Sequence, residues 1–253
     1  MRLIVLASGS SGNCALVESG GRAVLLDAGI STRETLRRIA ASGAGDARIE
    51  AILLTHEHVD HVRGARVLAR RLGVPVMATA GTLQAAADAL ADVPETIAVA
   101  RRDQFQAAGL RISSFGTAHD ASESCGYVFE SRRGHRIGVV TDTGVVTPEI
   151  IDALSGCHAL GMESNHDDGM LAAGPYPPFL KRRIAGDRGH LSNAAAASAL
   201  DDLAWKGLSH VFALHISEQN NTPERARVAL ARTLRDTAAL ETIARNEIGG
   251  CAL

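Results

Sequence analysis

The chain has 253 residues, a net charge of −2 at pH 7, and 46% hydrophobic but only 3% aromatic residues. That size and composition suit a globular chain with a sizeable core, read as one domain over 1–253. They exclude a global basic field and a base-stacking platform of several rings, so any nucleic-acid contact must come from a local patch.

Leu3–Leu6, Ala15–Val17 and Ala23–Leu26 read as strands separated by Gly-Ser and Gly-Gly turns. The first run is too short for a signal peptide, and no stretch is long and apolar enough to cross a bilayer. Cys14, Cys125, Cys157 and Cys251 are scattered without a C-x-x-C pair, which reads as small buried residues in a reduced, cytoplasmic protein. Ser31 and Glu34 have capping-box spacing and predict a helix through Leu36 and Ile39. A buried strand over 51–55 leads through a turn into a helix over 62–72, followed by a strand near Val76 and a helix over 82–91. The middle, 96–141, is strand-rich, with Leu110–Phe115, Gly126–Glu130 and Ile137–Thr141 its clearest members. Thr147-Pro148 opens a helix, His158–Met162 is a strand, and 165–189 is irregular. Ser192 caps an alanine-rich helix, Val211–Leu214 is a strand, and Thr222-Pro223 opens the last long helix. Strands followed by helices, in two halves, suggest two packed sheets with helices outside.

The turn at 56–61 holds His56, His58, Asp60 and His61. Such residues are poor core formers unless paired or metal-bound, and their density suits a divalent cation. Three further polar residues follow apolar runs: His119, Asp142 and His215. Singly they are ordinary loop, turn or core residues; together with the first cluster they supply enough donors for two metals sharing one carboxylate. Five imidazoles favour zinc, and manganese or iron can occupy the same ligands. Asp27 would orient a ligand or cap a turn. Gly9 and Gly12 suit either a phosphate approach or a tight turn. Lys181, Arg182, Arg183 and Arg188 offer a local grip on a nucleic-acid backbone or a solvated loop, with Tyr176 and Phe179 the aromatics of that segment.

Thr-His-Glu-His-Val-Asp-His with His119, Asp142 and His215, preceded by Ser8–Asn13 and Leu25–Gly29, resembles the metallo-β-lactamase superfamily. The resemblance runs from about residue 3 to residue 225. It implies an α/β fold, an αββα sandwich of two mixed sheets with helices on the outer faces. It also implies that His56, His58 and His119 hold one metal, that Asp60, His61 and His215 hold another, and that Asp142 bridges them. Glu163–Asp167, Tyr176-Pro177, Leu180–Ile184 and Gly189–Asn193 resemble the YycJ/WalJ-type group, regarded as 5′→3′ exonucleases on duplex DNA. By that likeness Glu163 and His190 assist proton transfer, with a metal-bridging hydroxide as nucleophile and Asp60 essential to catalysis. His166 serves the same purpose or supports it from behind.

The proline expected after His119-Asp120-Ala121 is missing, and no insert between Asp142 and His215 is long enough for a β-CASP domain or a tRNA-gripping arm. The expected function is therefore a zinc- or manganese-dependent phosphodiester hydrolase whose partner is nucleic acid, DNA in the first place. Hydrolysis of thioesters or other small molecules on the same scaffold is the enzyme alternative. A non-catalytic nucleic-acid-binding regulator is the other, disfavoured by the full ligand set.

Overall fold

The computed structural model describes residues 1–234, 239–243 and 247–253. The chain begins with β1 (Arg2–Ala7), β2 (Cys14–Ser19), β3 (Arg22–Leu26), α1 (Thr32–Ala41), β4 (Arg48–Leu53), α2 (Val59–Val62), α3 (Ala65–Leu72), β5 (Val76–Ala78), α4 (Ala80–Ala85) and β6 (Thr96–Ala98). It continues through β7 (Gln104–Ala107), β8 (Leu110–Gly116), β9 (Cys125–Glu130), β10 (Arg136–Val140), α5 (Pro148–Leu154), β11 (Ala159–Glu163), α6 (Asp168–Ala173), α7 (Pro178–Ile184), α8 (Asn193–Leu203) and β12 (His210–Leu214). It closes with α9 (Pro223–Leu234), β13 (Ala239–Thr242) and β14 (Gly249–Ala252).

Among the described residues the strands form two sheets, ordered β14-β1-β2-β3-β4-β5-β6 and β13-β12-β11-β10-β9-β8-β7. Both are mixed in the same manner. β14 and β1 to β3 pair antiparallel and β3 to β6 parallel. Likewise β7 to β10 pair antiparallel and β10 to β13 parallel. Because each sheet is covered on two faces, its strands are nearly continuous apolar runs whose alternate residues enter different cores. Leu3 and Val5 of β1 join Ile137, Val139 and Phe212 between the sheets. Ile4 and Leu6 pack instead with Ile39 of α1 and Leu68 of α3. On the other side Val211 and Ala213 pack with Ile150, Leu200 and Leu230 of α5, α8 and α9. The layers are helix, sheet, sheet, helix, the sandwich that the family resemblance implied.

The expected caps form: Ser31, Thr147 and Ser192 accept the N–H groups of Glu34, Ile150 and Ala195. Other expectations need correction. The helix over 62–72 is two, α2 and α3, broken at Gly64. There the N–H donates to Ala28 O at 2.7 Å, and a Cβ would lie 2.1 Å from Ile30 O. The helix over 82–91 starts at Ala80 under a Thr79 cap and gives way to turns after Ala85. The segment 165–189 is not irregular throughout, since it contains α6 and α7. Asp167 caps α6, and Pro177-Pro178 opens α7, which fully buries none of its residues and offers only the half-buried pair Leu180 and Ile184 as an apolar stripe.

The C-terminal ends of the parallel strands in both sheets meet at one end of the sandwich. Asp27 follows β3, His56 lies just past β4, Asp142 just past β10, Glu163 ends β11 and His215 follows β12. Asp27, Asp142 and His215 adopt left-handed backbone, with φ of 59°, 57° and 54°. That conformation costs about 1 kcal/mol or more per residue, and its recurrence at three strand ends marks the place as a site.

Candidate metal centre

The first wall starts at Thr55. Its N–H donates to Asp27 Oδ1 at 2.9 Å and its hydroxyl donates to the same carboxylate at 3.1 Å. The hydroxyl also lies 3.0 Å from His56 Nδ1, and Asp27 Oδ2 lies 2.8 Å from His61 Nδ1. A ring that donates from Nδ1 keeps its Nε2 lone pair for a metal, so Asp27 and Thr55 together orient both histidines. Of the two roles open for Asp27, the geometry gives the orienting one. Gly9 and Gly12 serve the tight turn. Gly12 N–H donates to Gly9 O at 2.9 Å, and a Cβ on Gly12 would lie 2.6 Å from Gly29 O. That turn carries Asn13, whose Nδ2 reaches Asp60 Oδ2 at 3.3 Å and His61 Nε2 at 2.9 Å.

Sets of donor atoms within 4.8 Å of one another comprise His56 with His58 and His119, and Asp60 with His61 and His215. Asp142 forms a set with His56 and His61 and another with Glu163, His190 and His215, so it stands between the first two. All seven expected ligands are thus brought together. His58 Nδ1 and His119 Nε2 face each other at 3.3 Å. His56 Nε2, His215 Nε2 and Asp142 Oδ2 are buried without a hydrogen-bond partner. Opposed ring nitrogens and an orphaned carboxylate oxygen are costly when buried, and a shared cation relieves that cost. The donor set therefore fits divalent metal.

The two sets differ electrostatically. Burial, reinforced by neighbouring His61, holds His56 well below the ordinary imidazole range. Burial likewise lowers His119. At His61 burial acts in the same direction, but Asp27 and Asp142 outweigh it and hold the group well above its ordinary value. At His215 burial is again outweighed, by Asp142, Asp60 and Glu163, and the value rises to about 10. Burial would raise Asp142, yet His215 and His61 hold it well below the usual carboxylate range. With His61 and His215 raised, a cation at the second set would compete with protons for their ring nitrogens.

The second wall is centred on Glu163, which is fully buried. Its Oε2 accepts the Thr143 N–H at 2.8 Å. Its Oε1 lies 2.8 Å from His190 Nδ1 and 3.3 Å from His215 Nδ1. Burial opposes ionisation of Glu163, but His190 prevails and lowers it to about 2. Reciprocally, burial opposes protonation of His190, and the Glu163 carboxylate overcomes it and raises the group. His190 Nδ1 also lies 3.6 Å from Asp142 Oδ1, so the ring adjoins the ligand cluster.

Both walls enclose a cavity of about 260 Å³ bordered by His58, Asp60, His119, Asp142, His190 and His215, with Ser10, Tyr176, Leu180, Arg183 and Ile184 at its rim. A larger hollow of about 850 Å³ around Arg22, Arg48 and Glu50 lies at the opposite strand ends and holds no comparable donor cluster. His166 is not on the cavity wall; it is buried and bridges Ser192. Lys181 turns to Ala172 O, Arg188 donates to His119 O, and Arg183 pairs with Asp120 at 2.7 Å. Asp120 was missed by sequence reasoning, although it adjoins His119, with Oδ1 3.3 Å from His119 Nε2. Thr55, Asn13 and Asn165 were missed too. Each is a neutral polar residue with a partner distant in sequence: Asp27 for Thr55, His61 for Asn13 and His215 for Asn165.

The family model described as "Beta-lactamase superfamily domain" matches residues 22–216. The chain is 35% identical over 234 residues to exodeoxyribonuclease YycJ of Bacillus anthracis, covering 92% of this chain and 88% of that protein. It is 33% identical over 236 residues to exodeoxyribonuclease WalJ of Streptococcus pneumoniae, covering 91% and 87%. Among solved structures, Zn²⁺-bound PqqB from Methylobacterium extorquens superposes with a TM-score of 0.73 at 21% identity over the whole of both chains. The metallo-β-lactamase-fold protein YhfI from Bacillus subtilis does so with 0.73 at 14%, covering 99% and 100%. These structural likenesses bear on the fold.

Proposed function

Because the chain belongs to the β-lactamase superfamily, within it to the YycJ/WalJ group, we propose that it is a metal-dependent exodeoxyribonuclease working 5′→3′ on duplex DNA. The observation that carries this reading is the His190–Glu163 pair, set 2.8 Å apart beside the ligand cluster. Hydrolysis of a phosphodiester expels an alkoxide, a poor leaving group that gains most from a positioned acid.

His56, His58 and His119 would hold one ion, Asp60, His61 and His215 a second, and Asp142 would touch both, zinc or manganese being the ions such ligands take. Bound ions supply Lewis acidity toward phosphate oxygens and acidify water. The remaining work belongs to the chain. Glu163 accepts from His190 Nδ1 and keeps that imidazole protonated. His190, on the cavity wall, then donates from Nε2 to the alkoxide oxygen of the breaking P–O bond. Thr143 N–H fixes Glu163 from behind. Arg183, paired with Asp120 at the rim, presents a cation to an entering phosphate.

The test is digestion of a blunt duplex labelled at either the 5′ or the 3′ end, by protein loaded with zinc or manganese. Mononucleotides released first from the 5′ end are expected. Cleavage of a thioester, with DNA left intact, would overturn the reading.

A further inference from the structure

We propose that α7 is the element that grips the end of the DNA, with Phe179 stacking on the terminal base and Arg182 holding the adjoining phosphate. This rests on the nuclease reading and deepens it by naming what recognises a strand end.

Phe179 is 67% exposed, while Phe115, Phe129 and Phe212 are fully buried. It is the one exposed phenylalanine among the described residues, and it stands on a helix that borders the metal cavity. Positions three and four apart are neighbours on a helix surface, so Phe179 shares a face with Arg182 and Arg183. Arg183 is on the cavity rim and is pinned by Asp120. Arg183, Leu180 and Ile184 line the cavity and Phe179 and Arg182 do not, so the exposed ring stands beside the cavity border on the outer side of Arg183, with Arg182 next to it on the helix surface. Basic residues in a last turn also complement the helix dipole, which suffices to explain Lys181, Arg182 and Arg183. It does not explain an exposed aromatic ring beside them. Two prolines in series, Pro177 and Pro178, restrict the backbone that carries the ring, so little freedom is lost when a base settles on it.

The helix is also tied to the proton donor. His190 N–H donates to Ile184 O at 2.8 Å. A Cβ on Gly189 would lie 2.2 Å from both Arg183 O and Ile184 O, so the loop is pressed against the end of α7. The loop that carries His190 is packed on the helix that carries Phe179, so a base seated on Phe179 would set the next phosphodiester relative to His190. One ring reads no sequence, because every base has a face to stack; the occupant is a DNA end of any sequence.

The test compares wild type, F179A, F179W and R182A on a blunt duplex and on a small aryl phosphodiester. The same proteins are titrated in EDTA with a duplex carrying 2-aminopurine at its 5′ end. F179A is expected to lower the ratio of DNA to diester turnover about tenfold or more, chiefly through KM, and to abolish the fluorescence change that stacking produces. F179W is expected to restore both. R182A is expected to weaken binding and reduce its salt dependence. A wild type that cuts DNA, with F179A unchanged in ratio and fluorescence, overturns this inference alone. A wild type that cleaves the diester and spares DNA overturns the nuclease reading together with it.

Discussion

His56, His58, Asp60 and His61 come from a single turn after β4, whereas Asp142, Glu163, His190 and His215 are delivered by three neighbouring parallel strands and the loop into α8. On the first wall the spacing is written into the covalent chain, and Asp27 with Thr55 needs only to aim the rings. On the second it depends on register: Val140 opposite Met162, and Glu163 opposite Leu214, bring Asp142 and His215 to either side of Glu163. The contents differ as well. Within the contiguous wall burial lowers His56 while carboxylates raise His61; in the assembled wall carboxylates raise both histidines, His190 and His215. A local turn can make a ligand cradle, but joining it to an acid requires the sheet.

The sharpest way to break this division is Asp60→Ala. It should reduce DNA cleavage to background, beyond the roughly 100-fold typical of outer-sphere changes, and lower the bound metal, with circular dichroism unchanged. Persisting activity would mean that the ligand assignment is wrong. His190→Ala should lower kcat by about 10²- to 10⁴-fold with metal content retained. If metal were lost in parallel with activity, His190 would be a ligand and the two walls would not divide as described.

The same contrast governs what could be read from sequence. The His56–His61 run was legible because its donors are adjacent, and His119, Asp142 and His215 because each is a polar residue ending an apolar run. α7 was illegible because it is seven residues long and its one apolar pair, Leu180 and Ile184, is too short a stripe to stand out beside Lys181, Arg182 and Arg183. β14 was illegible because Gly249-Gly250 reads as a turn; only pairing with β1 makes it a strand. Asp120 stood in plain view beside His119, but its partner Arg183 lies 63 residues away. The caps, and strands such as β1, β4 and β12 that are short apolar runs, were legible for the opposite reason, since their signals are local.

Glu163→Gln probes the proton relay with a smaller effect, about 10- to 100-fold in rate. An acid works only while protonated, so the wild-type rate declines as pH rises through the raised value of His190. Removing the carboxylate leaves burial to dominate, the His190 value falls, and the alkaline limb of the pH–rate profile should move to lower pH. A limb that stays in place, or moves to higher pH, would remove Glu163 from the relay.

The smallest effect should come from beneath the assembled wall. Asn221 Nδ2 donates to Ser164 O at 2.8 Å, Asn165 O at 3.1 Å and Asn193 Oδ1 at 2.8 Å. Asn165 in turn donates to His215 O at 2.9 Å. This buried network ties the end of β11 to the loops before α8 and after β12, which is how strand ends far apart in sequence keep one geometry. Asn221→Ala leaves Ser164 O without the amide that donates to it and Asn193 Nδ2 without its acceptor, and should cost about 1–3 kcal/mol of stability, read as a lower denaturation midpoint. With the fold intact, kcat should fall by about threefold or less, under 1 kcal/mol of barrier. Metal bound by His56, His58 and His119 should be unaffected, because the turn that holds His56 and His58 does not pass through the network. A midpoint equal to wild type would show that register alone holds the second wall.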